Sequence, residues 1–106
     1  MANQRIGELT PEALAELKTK YRRISLVEVE DGEETHCIYL RRPDFGIIKA
    51  ISKVAKDDPV ESSRIFLVNC KIAGSEAVLE DGVLMMAAAN AAGELLNSVK
   101  AHLKNV

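Results

Sequence analysis

Six residues, Lys56-Asp57-Asp58-Pro59-Val60-Glu61, restrict the fold of this chain more than any others. The residue before a proline is driven out of the helical region, so a helix arriving from the N-terminal side must stop here. The same residues open a second helix. Asp58 can cap it, Pro59 suits its first position, and Glu61 stands three residues after the cap in a capping-box-like spacing. Two helices, over 43–56 and 59–72, therefore turn back on one another across a very short link. The first carries Ile47, Ile48, Ile51, Val54 and Ala55 on one stripe. The second ends in Ile65, Phe66, Val68 and Ile72, and Cys70 belongs with them as a small apolar residue finishing a buried face. Gly74 then permits a left-handed stop.

Strand and helix signals flank this hairpin of helices. Thr10 and Pro11 open a short helix over 10–20, with Leu14, Leu17 and Tyr21 on one side. "RRISLVEVE" and "ETHCIYL" are rich in β-branched and aromatic residues, and Asp31-Gly32 between them predicts a β-hairpin over 22–40. With Asp31 and Gly32 as the two turn residues, Leu26 lies opposite Cys37 and Ile24 opposite Tyr39. That makes Ile24, Leu26, Cys37 and Tyr39 the apolar face suited to lying on helices. The other face, with Val27, Val29, His36 and Ile38, is not cleanly polar and is available as a contact surface. A two-stranded ribbon is barely stable alone, so it must pack on the helices.

Asp81 can cap a long final helix over 82–104. Leu84, Ala88, Ala91, Leu95 and Val99 form one stripe and Met85, Ala89, Ala92, Leu96 and Leu103 an adjacent one, while Met86 falls on the side of Asn90 and Asn97. The combined apolar arc exceeds the ~100° of an ordinary surface helix. Either ribbon and helical hairpin both cover this helix, or part of its arc is held for a partner. The expected fold is α+β and mainly helical: N-terminal helix, β-hairpin, antiparallel helical hairpin and long C-terminal helix, in one domain spanning 1–106.

Composition narrows the function. Fourteen Lys and Arg against sixteen Asp and Glu give a net charge of −2, which argues against broad electrostatic binding to nucleic acid. Two Tyr, two Phe and no Trp supply little for stacking bases or sugars. No stretch approaches the ~20 apolar residues of a membrane span, and the N-terminus lacks a basic segment followed by an apolar run, so a cytoplasmic protein is expected. In that compartment Cys37 and Cys70 read as free thiols.

The chemistry-bearing residues form no familiar constellation. His36, Cys37 and Cys70 fit no metal spacing, and adjacent strand residues point to opposite faces. Cys70 as a nucleophile lacks a neighbouring base in the sequence. The acidic loops at 30–34 and 75–82 lack the alternating ligands of a calcium loop. No phosphate loop, nucleophile elbow or paired catalytic carboxylates are present. An enzyme, a cofactor and a metal are therefore not expected. One cluster does stand out: pairing of the ribbon brings Tyr21, Arg22 and Arg23 beside Arg41 and Arg42. These arginines serve either as helix-end charges paired with Asp44 or Glu12, or as contacts for an acidic partner segment.

Residues 39–96 resemble the small tail assembly chaperones of tailed bacteriophages and prophages. The resemblance rests on Arg42-Pro43, Asp58-Pro59, Leu67-Val68-Asn69-Cys70, Gly74-Ser75-Glu76 and Glu94-Leu95-Leu96. It implies a non-enzymatic protein of the bacterial host cytoplasm that binds the helical tape measure protein and recruits tail tube subunits before leaving the finished tail. A wide apolar helix with polarizable Met85 and Met86 suits amphipathic segments. The expected partner-binding residues are Met85, Met86, Leu96, Arg22, Arg41 and Arg42, and a homo-oligomer is compatible with this role. The alternative is a small regulatory or antitoxin-like module, dimeric through the C-terminal helix.

Overall fold

The computed structural model describes residues 4–106. In chain order the elements are β1 (Gln4–Ile6), α1 (Pro11–Lys20), β2 (Ile24–Asp31), β3 (Glu34–Arg41), α2 (Phe45–Ala55), α3 (Pro59–Cys70), β4 (Lys71–Gly74), α4 (Ala77–Glu80) and α5 (Gly82–Ala92), followed by a 3-10 turn over Gly93–Asn97. The fold is mixed α+β, as expected. No helix among the described residues is long and apolar enough to cross a membrane.

Helix starts follow the local chemistry closely. The Oγ1 of Thr10 accepts from the Ala13 N–H, and Asp58 accepts from Glu61 N–H at 3.0 Å. Asp81 accepts from both Val83 and Leu84 N–H. Such caps satisfy orphan donors of the first turn, each contributing about 1 kcal/mol. Two local details differ from expectation. Asp44 caps α2, so that helix begins at Phe45 rather than at 43. Glu61 does not reach back to its cap; its carboxylate takes the Arg64 guanidinium three residues on.

β3 is the spine of the sheet. β2 pairs with it antiparallel from Ile24↔Arg41 to Asp31↔Glu34. The opposite edge of β3 is shared end to end by two short strands, β1 running parallel opposite Glu34–His36 and β4 antiparallel opposite Ile38–Leu40. They abut at Gly7 and Gly74. A Cβ on Gly74 (φ +116°) would lie 2.3 Å from the Cys37 carbonyl oxygen, and one on Gly7 (φ +84°) 2.3 Å from the Ser75 nitrogen. Only glycine permits both the backbone conformation and this approach.

The turn of the hairpin is Gly32-Glu33, not Asp31-Gly32. Positive φ at Gly32 alone fits a type II′ turn, in which glycine takes the first central position. Leu26 therefore faces Tyr39 and Glu28 faces Cys37, a shift of two residues that leaves each side chain on its expected face. The helices, however, cover the other face. Val27, Val29, Ile38 and Leu40 join Phe66, Leu67, Cys70, Val78, Leu84, Ala88 and Ala92 in the main core. The Ile24, Leu26 and Tyr39 face looks instead toward α1, across a cavity of about 490 Å³ lined also by Leu9, Pro11 and Leu14.

Two helices end earlier than their sequence patterns suggest. The second of the helical hairpin stops at Cys70, not 72, because Lys71–Gly74 is drawn into the ladder with β3. On it Val68 is exposed, and Leu67 takes the fully buried place. Gly74 accordingly closes a strand rather than a helix. The final helix ends at Ala92 and not at 104. Leu84, Ala88 and Ala92 bury one stripe, but Ala91, Leu96, Val99 and Leu103 find nothing to pack on. A helix without tertiary cover does not hold together over so few residues, so beyond the 3-10 turn residues 98–106 have no regular structure and are exposed.

The result is an extended outline. The radius of gyration is 15.3 Å, where a compact chain of this length has about 13 Å. The accessible surface is 7530 Å², against about 5,800 Å² for a compact monomer of this mass.

Candidate functional site

The chain threads four arginines through one end of the hairpin. α1 stops when Tyr21 turns extended, its N–H bonding back to Leu17 O. Arg22 and Arg23 lead into β2, and Arg41 and Arg42 lead out of β3. Because Ile24 pairs with Arg41, the two segments lie side by side. Lys20, Tyr21, Arg22, Arg23, Arg41 and Arg42 line an open cleft of about 750 Å³. Arg41 alone among these cations has a carboxylate within reach, Asp44 at 4.0 Å; Lys20, Arg22, Arg23 and Arg42 form no ion pair among the described residues, and Glu12 does not enter the cluster. Five cations in one concavity on a chain of net charge −2 form a local electropositive pole.

The apolar residues expected to meet a partner lie elsewhere, on α5 and after it. Met86 is half exposed in a shallow groove with Ser63 of α3 and with Ala87, Ala89, Asn90 and Gly93. Met85 differs: it packs against the main core and serves the fold. Leu96 is 48% exposed on the 3-10 turn. Val83, Val99 and Leu103 are also well exposed, so uncovered apolar side chains recur as a strip along the sequence from Val83 to Leu103. Of the six sequence-predicted residues, Arg22, Arg41 and Arg42 share the arginine cleft, Met86 and Leu96 are exposed on α5 and the turn after it, and Met85 belongs to the core.

Both cysteines are free and enclosed, on opposite faces of the sheet. Burial pushes the Cys70 thiol up from its ordinary value, with Arg41 opposing and Asp44 reinforcing the shift. Burial likewise raises Cys37, against the pull of Arg5. A thiol held neutral in this way is a poor nucleophile and a poor metal ligand. Among the described residues, no three His, Cys, Asp or Glu side chains are placed to hold one metal ion.

Sequence reasoning missed one polar trio. The Nδ1 of His36 lies 2.8 Å from Ser75 Oγ, and its Nε2 lies 3.2 Å from a Glu34 carboxylate oxygen. In the tautomer with its proton on Nε2, His36 donates to Glu34 and accepts the Ser75 hydroxyl hydrogen bond at Nδ1. The composition matches a Ser-His-acid triad, but Ser75 is only 3% exposed, and its N–H donates to Cys37 O at 2.8 Å. A substrate carbonyl has no approach to that hydroxyl. The trio locks the junction where β1 and β4 meet on β3, and the sequence signal for it was a histidine inside a strand, between Thr35 and Cys37.

The chain is similar in structure to an uncharacterised protein from Bacillus stearothermophilus. The two share 21% identity and a TM-score of 0.65, over 87% of this chain and 99% of the other. That likeness establishes the fold. No protein-family model and no curated protein sequence matches the chain.

Proposed function

We propose that the chain is a non-enzymatic, tail assembly chaperone-like protein that binds the tape measure protein of a phage or prophage in the host cytoplasm and brings tail tube subunits to it. The observation that carries this reading is the uncovered apolar strip. Met86, Leu96, Val99 and Leu103 are exposed on a chain whose surface exceeds that of a compact monomer by about 30%, which supports reading them as contact residues. An amphipathic helix laid along this strip would bury those side chains, and polarizable Met86 tolerates varied apolar partners.

The arginine cleft supplies the second half of the contact. A tape measure segment carrying acidic residues beside its apolar face would be steered by Arg22, Arg41 and Arg42 and held by the apolar strip. A modest, divided surface of this kind suits a protein that must later dissociate.

Co-expression of the chain with the tape measure protein encoded beside it tests the proposal. The expected result is co-purification and more soluble tape measure protein. Met86→Asp combined with Leu96→Asp should reduce capture at least about tenfold, since both side chains are exposed and the fold does not need them. Absence of co-purification, with no change in the partner's solubility, would contradict it.

A further inference from the structure

The outer edge of β2 has no strand partner, and Ala91, Glu94, Leu95 and Ser98 border it only beside Ser25, Leu26 and Val27. β2 pairs with β3 alone, and its eight residues contain no proline or lysine, and its pairing with β3 shows no bulge. Those devices, with charged side chains, normally protect an edge strand against further pairing, and of them β2 carries only its acidic residues Glu28, Glu30 and Asp31. The two-residue turn makes Asp31 and Glu34 a hydrogen-bonded pair, and bonding alternates along an antiparallel ladder. The N–H and C=O groups of Ile24, Leu26, Glu28 and Glu30 therefore point outward, away from β3.

Charge along this edge is polar end to end. Arg22 and Arg23 precede β2 at the cleft, and Glu30, Asp31 and Glu33 stand at the far end. None of these five has an ion-pair partner among the described residues, whereas Glu28 is already taken by Arg5 at 2.6 Å. Leu26, midway between, is 45% exposed. An antiparallel neighbour of opposite polarity would satisfy the backbone groups, both charged ends and the exposed leucine together. The chain itself is such a neighbour.

We infer that two copies of this chain associate through β2, antiparallel about a two-fold axis at Leu26. This register places Leu26 on Leu26 of the second copy, Ile24 opposite Glu28, and Arg22 opposite Glu30, each twice by symmetry. Only residues of one face oppose each other, so the two sheets continue as one, with outward backbone groups meeting outward backbone groups. The interface is formed by β2 rather than by the C-terminal helix, although Glu94, Leu95 and Ser98 lie at its margin, and it does not depend on the chaperone reading.

Sedimentation of the purified chain at low salt, with variants of the two charged ends, tests the inference. The natural chain should dimerise, with the dimer weakened about tenfold or more at 0.5 M salt as the end charges are screened. One variant, Arg22→Glu with Arg23→Glu, has two acidic ends. Another, Glu30→Lys with Asp31→Lys, has two basic ends. Each alone should be monomeric while keeping its circular dichroism spectrum, and an equimolar mixture of the two should recover the dimer. Leu26→Cys should form an intermolecular disulfide under mild oxidation, since Cys37 and Cys70 are enclosed. A monomer at all salt concentrations, a dimer indifferent to both charge variants, or an open ladder of larger species would each overturn the inference.

Discussion

Replacing Gly74 with alanine should remove much of the stability of this protein. Gly74 has φ +116°, where an L-residue is strained by about 1–3 kcal/mol. The added Cβ would stand 2.3 Å from Cys37 O and 2.7 Å from Ile38 Cα, both backbone atoms of the central strand that no side-chain rotation can move. Relief requires β4 to draw away from β3. That breaks the Ser75 N–H to Cys37 O bond of 2.8 Å and leaves a buried donor unpaired, at about 1–3 kcal/mol. The combined loss is about 2–6 kcal/mol, a large share of the 5–15 kcal/mol typical of a domain. Gly32→Ala is the matched control. It too has positive φ (+62°), but its Cβ meets nothing within 4 Å, so backbone strain of about 1–2 kcal/mol is its whole effect. Urea unfolding of the three proteins, followed by circular dichroism, measures the difference. If Gly74→Ala loses no more than Gly32→Ala, the junction of β1 and β4 is not the tight seam described above.

Four further outcomes follow from particular residues. Cys37 and Cys70 should resist a thiol reagent in the native protein and both react on unfolding, which counting modified thiols will show. Because burial raises both thiols in the folded state, stability should be full below the unfolded-state value near ~8.5 and fall as pH rises through the higher folded values; urea midpoints between pH 7 and 10 check the sign. Asp58→Ala should cost about 1 kcal/mol by uncapping α3 at Glu61 N–H, read as a lower urea midpoint. Gly93→Ala should stabilise the chain by about 0.5–1 kcal/mol and raise its helical signal, since φ is −58° and nothing lies within 4 Å of the new Cβ.

What was legible in the sequence was what local chemistry decides. Thr10, Asp58 and Asp81 cap the helices they were expected to cap, because a cap involves only its own first turn. The partition of hairpin residues between faces also survived a turn displaced by one residue, since the register moved by two. Choices made by distant partners were not legible. Lys71–Gly74 continues an apolar helix pattern, and only the free edge of β3 makes it a strand. Both hairpin faces are apolar, so nothing local told which would receive α3 and α5. The stripes that end in Leu95 and Val99 and in Leu96 and Leu103 predict a helix to 104 on their own terms, but beyond Leu95 no surface of the chain receives them. Within the candidate site, the clustering of Arg22 and Arg23 with Arg41 and Arg42 followed from strand pairing alone. The separation of Met85 from Met86 depended on which side α5 turns to the sheet.

Hydrogen exchange of residues 82–106, free and with an amphipathic helical segment of the tape measure protein, probes the account at its centre. In the free chain the amides after Asn97 should exchange rapidly, because no regular structure holds them beyond the short 3-10 turn. Adding the segment should slow exchange from Met86 through Leu103 as the uncovered strip is buried. Exchange there that stays fast at saturating segment would contradict the account.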